Sequence, residues 1–210
     1  MMKNIFDVII EENKENLSNK EFVLKHLYIG IQKESKEECI KREFGFEGLE
    51  SCLYVRLDIN DGIASAKLNK AMLEELSITE AEAWAQAKLN QHAETTIQPI
   101  FTAINQWLGN PCNDSIFDFE VESAGLYVIS NKCMHLGASA ILDDDIISEV
   151  ARRCKTDKFI VCPSSKHEML LFPDNGTVDF EDVCDLVKHI NNTEVDEKDR
   201  LTDRAYKLTV

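Results

Sequence analysis

The highest density of reactive side-chain types in this chain lies between Cys162 and Glu168, where Pro163-Ser164-Ser165-Lys166-His167-Glu168 follows an apolar run. Serine, histidine and a carboxylate are the parts of a nucleophile, its base and an orienting group. Residues 167–172 read as a strand, so pleating sets Ser165 and His167 on one face and Lys166 with Glu168 on the other. That spacing weakens a His167–Glu168 acid–base pair. Cys162 and His167 would stand about 16 Å apart at ~3.3 Å per residue, too far for a thiol–imidazole pair. No Gly-x-Ser-x-Gly elbow accompanies the serines. The segment therefore reads as a turn followed by a strand edge, a recognition edge more than an active site, and no catalytic residue is assigned.

Other chemistry finds less support. Cys133-Met134-His135 falls in a loop, and Cys184 and His189 stand five apart on a helix, where shared ligation needs three or four. No zinc spacing, EF-hand loop, P-loop or dinucleotide-binding glycine pattern occurs. Asp143-Asp144-Asp145 opens a helix and suits its dipole without a metal. No cofactor and no metal are expected.

The elements that position these residues form two groups. Residues 4–16 and 22–33 read as helices, the second passing into a strand. Cys52 to Ile59 alternates apolar and polar side chains, and Asn60-Asp61-Gly62 returns it as a hairpin. Thr79 and Glu82 form a capping box for a helix through Leu89. Thr96 to Leu108 reads as a helix with Pro99 in its first turn. The second group reads β-β-α-β-β-α-β: strands at 125–130, 138–142, 158–162, 167–172 and 205–210, with helices at 143–154 and 180–190. The expected fold is α+β, with antiparallel or mixed sheets carrying helices on one face. Two sub-lobes are expected, an N-terminal lobe over 1–110 and a C-terminal one over 116–210.

Four stretches carry a family resemblance: Ser77-Ile78-Thr79-Glu80 with the helix to Asn90; Leu126 to Asn131 with Gly137-Ala138; Phe159 to Pro173; and Asn191 to Val195 leading to Leu201-Thr202-Asp203 and Tyr206. Over roughly residues 50–210 the chain resembles an uncharacterised bacterial family, a domain of unknown function met in gut-type anaerobes and their mobile elements. The resemblance marks Asn90, Gly137, Pro163, Ser164, Ser165, His167, Glu168 and Tyr206. Of these, Ser164, Ser165, His167, Glu168, Asn90 and Tyr206 are the candidate functional edge. The family pattern has apolar residues where this chain has Cys162 and Lys166. Mobile-element carriage implies a role in conflict between host and element.

Composition bounds the partners. The 210 residues carry a net charge of -15, and 44% are hydrophobic, enough for a substantial core. A field of that sign repels phosphate backbones and anionic lipid. The densest basic run is Arg152, Arg153 and Lys155 at a helix end, where it complements the dipole. Direct nucleic-acid and membrane contact are not expected. Seven cysteines without a CxxC pair, no secretory signal and no bilayer-length apolar run fit a reducing cytoplasm. The expected role is a non-enzymatic one, binding a protein partner of basic character. The alternatives are a hydrolase using Ser165, His167 and Glu168, and an acidic nucleic-acid mimic.

Overall fold

The structure, a computed structural model, describes residues 13–59, 62–107 and 125–210. The helix expected over 4–16 falls mostly outside these residues, and the junction between the two expected lobes, 110–116, falls wholly outside them. The fold is α+β, built on two antiparallel sheets.

Two short helices, α1 (Lys14–Leu17) and α2 (Lys20–Lys25), lead into β1 (Leu27–Lys33). The first sheet is completed by β2 (Lys41–Glu43), β3 (Leu49–Ile59) and β4 (Gly62–Lys67). Strand β3 is buried along nearly all its length because it is central: β1 pairs along one edge, and β2 and β4 share the other. Its alternation gives the sheet two chemically distinct faces. Leu27, Ile29, Leu53, Val55 and Leu57 pack against Ala83, Trp84 and Ala87 of α4 (Glu80–Glu94), which follows α3 (Lys70–Glu75). The capping box at Thr79 and Glu82 starts α4 as expected. The opposite face is polar. Cross-strand pairs Gln32↔Glu50, Tyr28↔Tyr54, Tyr54↔Lys67 and Arg56↔Ser65 lie on it. Gly30 belongs there because the Tyr54 ring covers it: a Cβ at Gly30 would stand 2.6 Å from Tyr54 Cε2.

The second sheet has the order β5-β6-β8-β7-β9, from β5 (Thr95–Pro99), β6 (Tyr127–Asn131), β7 (Lys158–Cys162), β8 (Met169–Pro173) and β9 (Tyr206–Thr209). Residues 95–99 are thus a strand where a helix start was expected, and the helix α5 begins only at Ile100 (Ile100–Trp107). Pro99 is compatible with this because β5 is an edge strand. One face of the sheet packs on α6 (Asp144–Cys154) through Ile146, Ile147 and Val150. The other receives α7 (Phe180–Thr193) through Val183 and Val187.

Residues 138–142, expected as a return strand, lie in a buried 3-10 helix, Gly137–Leu142. It joins the two sheets. Ser139 Oγ donates to the Ile29 carbonyl at 2.6 Å, and Gln91 Nε2 donates to the Ser139 carbonyl at 2.7 Å. Small residues fit this gap, whereas a strand would leave its backbone donors without a ladder partner. The main core is continuous across the junction, with Ile31 and Leu49 of the first sheet beside Ile97, Ile129 and Leu171 of the second.

Candidate functional site

The loop between β6 and the 3-10 helix is held unusually tightly. Asn131 grips His135 from both sides: its Oδ1 accepts the His135 N–H at 3.1 Å, and its Nδ2 donates to the His135 carbonyl at 2.8 Å. Met134 and Leu136, on either side of His135, both adopt positive φ, 50° and 55°. Non-glycine residues in this region cost roughly 1 kcal/mol or more each. Leu136 is wedged against Cys52 and Tyr54 on the polar face of the first sheet. Arg56 anchors the same loop, donating to Cys133 Sγ at 3.1 Å while its other nitrogen holds Glu94 Oε1 at 2.7 Å. The Arg56 guanidinium also lies over the Tyr28 ring at 3.7 Å. Burial, aided by the Glu94 hydrogen bond, pushes the Tyr28 phenol up to about 12.

These restraints aim the His135 ring at β4, where Nε2 stands 3.0 Å from Ser65 Oγ. On its other side the ring meets His167, centroid to centroid 5.6 Å. The Leu136 N–H donates to His167 Nδ1 at 3.2 Å, which places the His167 proton on Nε2. That nitrogen faces Asp199 Oδ1 at 3.5 Å, and Lys166 Nζ holds the same oxygen at 2.8 Å. Burial lowers the His135 pKa, and the Lys166 and Arg56 cations lower it further against Asp199. Burial alone would raise the Asp199 carboxyl, but the Lys166 hydrogen bond and the nearby cations hold it below the usual range.

His135, Ser65 and Lys166 line a cleft of about 440 Å³ between the polar face of the first sheet and the loops of the second. Five cations line it, Lys33, Lys67, Lys166, Lys198 and Arg200, against the two carboxylates Glu37 and Glu197. Lys67 pairs with Glu37, Lys166 with Asp199, and Lys198 with Asp196. Arg200 spends Nε on the Val195 carbonyl at 2.7 Å. Among the described residues, no carboxylate is paired with the Arg200 guanidinium or with Lys33. A basic patch was not expected from the sequence, where these residues are spread over positions 33 to 200.

The expected functional edge is divided by the structure. Strand β8 starts at Met169, so residues 164–168 are not pleated and the face assignment made for them does not hold. Ser164 and Ser165 both donate to Glu168 Oε1, at 3.1 and 3.0 Å, and Ser165 Oγ accepts the His167 N–H at 3.0 Å. The serine hydroxyls are thus spent within the turn, while Lys166 lines the cleft and His167 stands beside it against His135. Asn90 and Tyr206 lie elsewhere. Asn90 Nδ2 donates to the carbonyls of Leu24, Lys25 and Leu27, tying α4 to the start of β1. Tyr206 OH donates to the Glu47 carbonyl at 2.6 Å. Gly137 is packed so closely that its position is dictated by sterics, with Ser130, His167 and Asn131 all around it. Cys162 is buried beside Val183 and Val187, and burial pushes its thiol up to about 12.

Among the described residues, one group could hold a metal ion: the ligand atoms of His92, Asp143 and Asp145 lie within 4.8 Å of one another. Asp143 nevertheless caps α6, accepting the Ile146 N–H, and pairs with His92 Nδ1 at 2.9 Å. A cation there would sit against the positive end of that helix. No helix among the described residues is long and apolar enough to cross a membrane.

Residues 42–209 match the model of a family described as "Family of unknown function (DUF5688)". No curated protein and no solved structure matches the chain.

Proposed function

We propose that this chain, which belongs to the family of unknown function DUF5688, binds a small anionic molecule bearing phosphate or carboxylate groups in the cleft between its two sheets. One observation carries the reading: in a chain of net charge -15, five cations, of which Lys33 and Arg200 have no carboxylate partner among the described residues, converge with His135 on a single cavity of about 440 Å³. The cavity falls within the range of about 300–1,000 Å³ typical of small-ligand sites. The acidic surface elsewhere does not cancel this attraction, because charges beyond about 8 Å are screened at physiological salt. Within the cleft the cations act at contact distance, where charge-assisted hydrogen bonds are strong. Arg200 supplies a planar fork suited to two oxygens, and the lysines supply point charges.

This reading keeps the binding role expected from the sequence and takes a small anion, in place of a basic protein, as the ligand. Calorimetry with inorganic pyrophosphate, and with citrate as the carboxylate counterpart, tests it. Saturable binding is expected, weakened by salt and reduced about tenfold or more by Lys166→Gln combined with Arg200→Gln. No saturable heat with either anion, or unchanged affinity in the double variant, would overturn the proposal.

A further inference from the structure

Anion binding uses the cations of the cleft but gives no role to the contact between Ser65 and His135. We propose that Ser65 is a nucleophile and His135 its general base, so that the cleft hydrolyses an ester of the anionic molecule it binds; this rests on the anion-binding reading. The pair has the required geometry. Ser65 Oγ lies 3.0 Å from His135 Nε2, within hydrogen-bond reach, and both residues line the cavity. Ser65 can donate to Nε2 only if that nitrogen is unprotonated. Burial and the charges of Lys166 and Arg56 favour that neutral form, with Asp199 opposing them.

A hydrogen bond that merely fastened β4 to a loop would not need a strained presentation. His135 is flanked by two left-handed non-glycine residues and gripped by Asn131 at both its N–H and its carbonyl. Strain of this kind persists where the surroundings over-determine a conformation, as at functional sites. Electrostatic support lies close by. Lys67 is two residues from Ser65 on the same face of β4 and lines the cavity, as does Lys166.

The chemistry balances with water as the only co-reactant. Ser65 Oγ bonds to the ester carbonyl carbon, the carbonyl π pair moves to oxygen, and the Oγ proton passes to His135 Nε2. The oxyanion is stabilised by the Lys67 and Lys166 charges. Its collapse breaks the bond to the leaving alkoxide, which takes the proton from Nε2 and departs as the alcohol. Water then adds to the acyl carbon, giving a proton to Nε2. Collapse returns that proton to Ser65 Oγ and releases the acid.

The test treats the full chain with a fluorophosphonate and maps the adduct by peptide mass spectrometry, while calorimetry follows pyrophosphate binding to the untreated wild type. An adduct on Ser65 is expected, forming faster as pH rises through the His135 titration. In His135→Gln the labelling rate should fall about hundredfold. Ser65→Ala, checked for an unchanged denaturation midpoint, should take up no label. Pyrophosphate binding without any adduct, or with the adduct on Ser164 or Ser165, would overturn Ser65 as nucleophile and leave the anion site standing. Failure of wild type to bind either pyrophosphate or citrate would overturn the anion site and this proposal with it.

Discussion

Gly137→Ala is a perturbation whose sign the structure decides against a simple expectation. Gly137 opens the 3-10 helix, and replacing glycine by alanine in helical backbone is ordinarily favourable by up to about 1 kcal/mol. Here the added Cβ would stand 2.3 Å from Ser130 Oγ, 2.6 Å from the His167 carbonyl oxygen and 2.7 Å from the Asn131 nitrogen. Two of those atoms are backbone and cannot rotate aside. The third, Ser130 Oγ, could turn only by abandoning its 2.7 Å bond to the same His167 carbonyl. Overpacking of this kind costs about 1–3 kcal/mol, and loss of the hydrogen bond about 1 kcal/mol more. Less the favourable helical contribution of up to about 1 kcal/mol, the net expectation is a destabilisation of about 1–3 kcal/mol. Urea unfolding of the variant beside wild type measures it, as a lowered midpoint with an unchanged slope. A midpoint equal to or above that of wild type would refute the close packing on which the placement of His167 depends.

Further outcomes follow from other contacts. Asn90→Ala should cost about 1–3 kcal/mol in urea unfolding, because the carbonyls at Leu24 and Leu27 lose their donor; faster amide exchange at the start of β1 should accompany it. Arg56→Met should cost about 3 kcal/mol by leaving Glu94 half-buried without its cation, and adding Glu94→Gln should recover part of that loss in the same assay. His135 should titrate below the ordinary histidine value of about 6.5 when followed by NMR. Between the folded and unfolded pKa values the unfolded chain binds more protons. Stability should therefore decline as pH falls through about 6.5 and stop declining below the folded pKa. In His135→Gln that contribution to the pH dependence should be absent.

Features governed by neighbours in sequence were legible before the structure. The capping box at Thr79 and Glu82, the Asp143 cap of α6 and the β3–β4 hairpin are written within a few residues each. Features governed by distant partners were not. Thr95–Pro99 has a helix-compatible sequence, but pairing with Tyr127–Asn131 makes it a strand. Gly137 to Leu142 alternates weakly like a strand, yet its burial between two sheets favours a compact turn. The site was half visible. His167 was singled out from the sequence and stands beside the cleft, but the serines next to it spend their hydroxyls on Glu168. His135 was noticed only as a loop histidine, since the left-handed backbone that presents it has no residue signature. The cations of the cleft come from β1, β4 and the loops after β7 and α7. No window of sequence contains them together.

The central claim is that this cleft, and not the surface at large, takes the anion. The five histidines report on it directly. His135 and His167 meet beside the cleft, whereas His26 accompanies α2, His92 pairs with Asp143 and His189 lies exposed on α7. Titration with pyrophosphate at constant pH, followed at the histidine ring protons, should move His135 and His167 together along one saturating curve. It should also raise the His135 pKa, because a bound anion favours the imidazolium. The other three should stay in place. Equal, non-saturating drifts at all five, or movement confined to His92 or His189, would contradict the account.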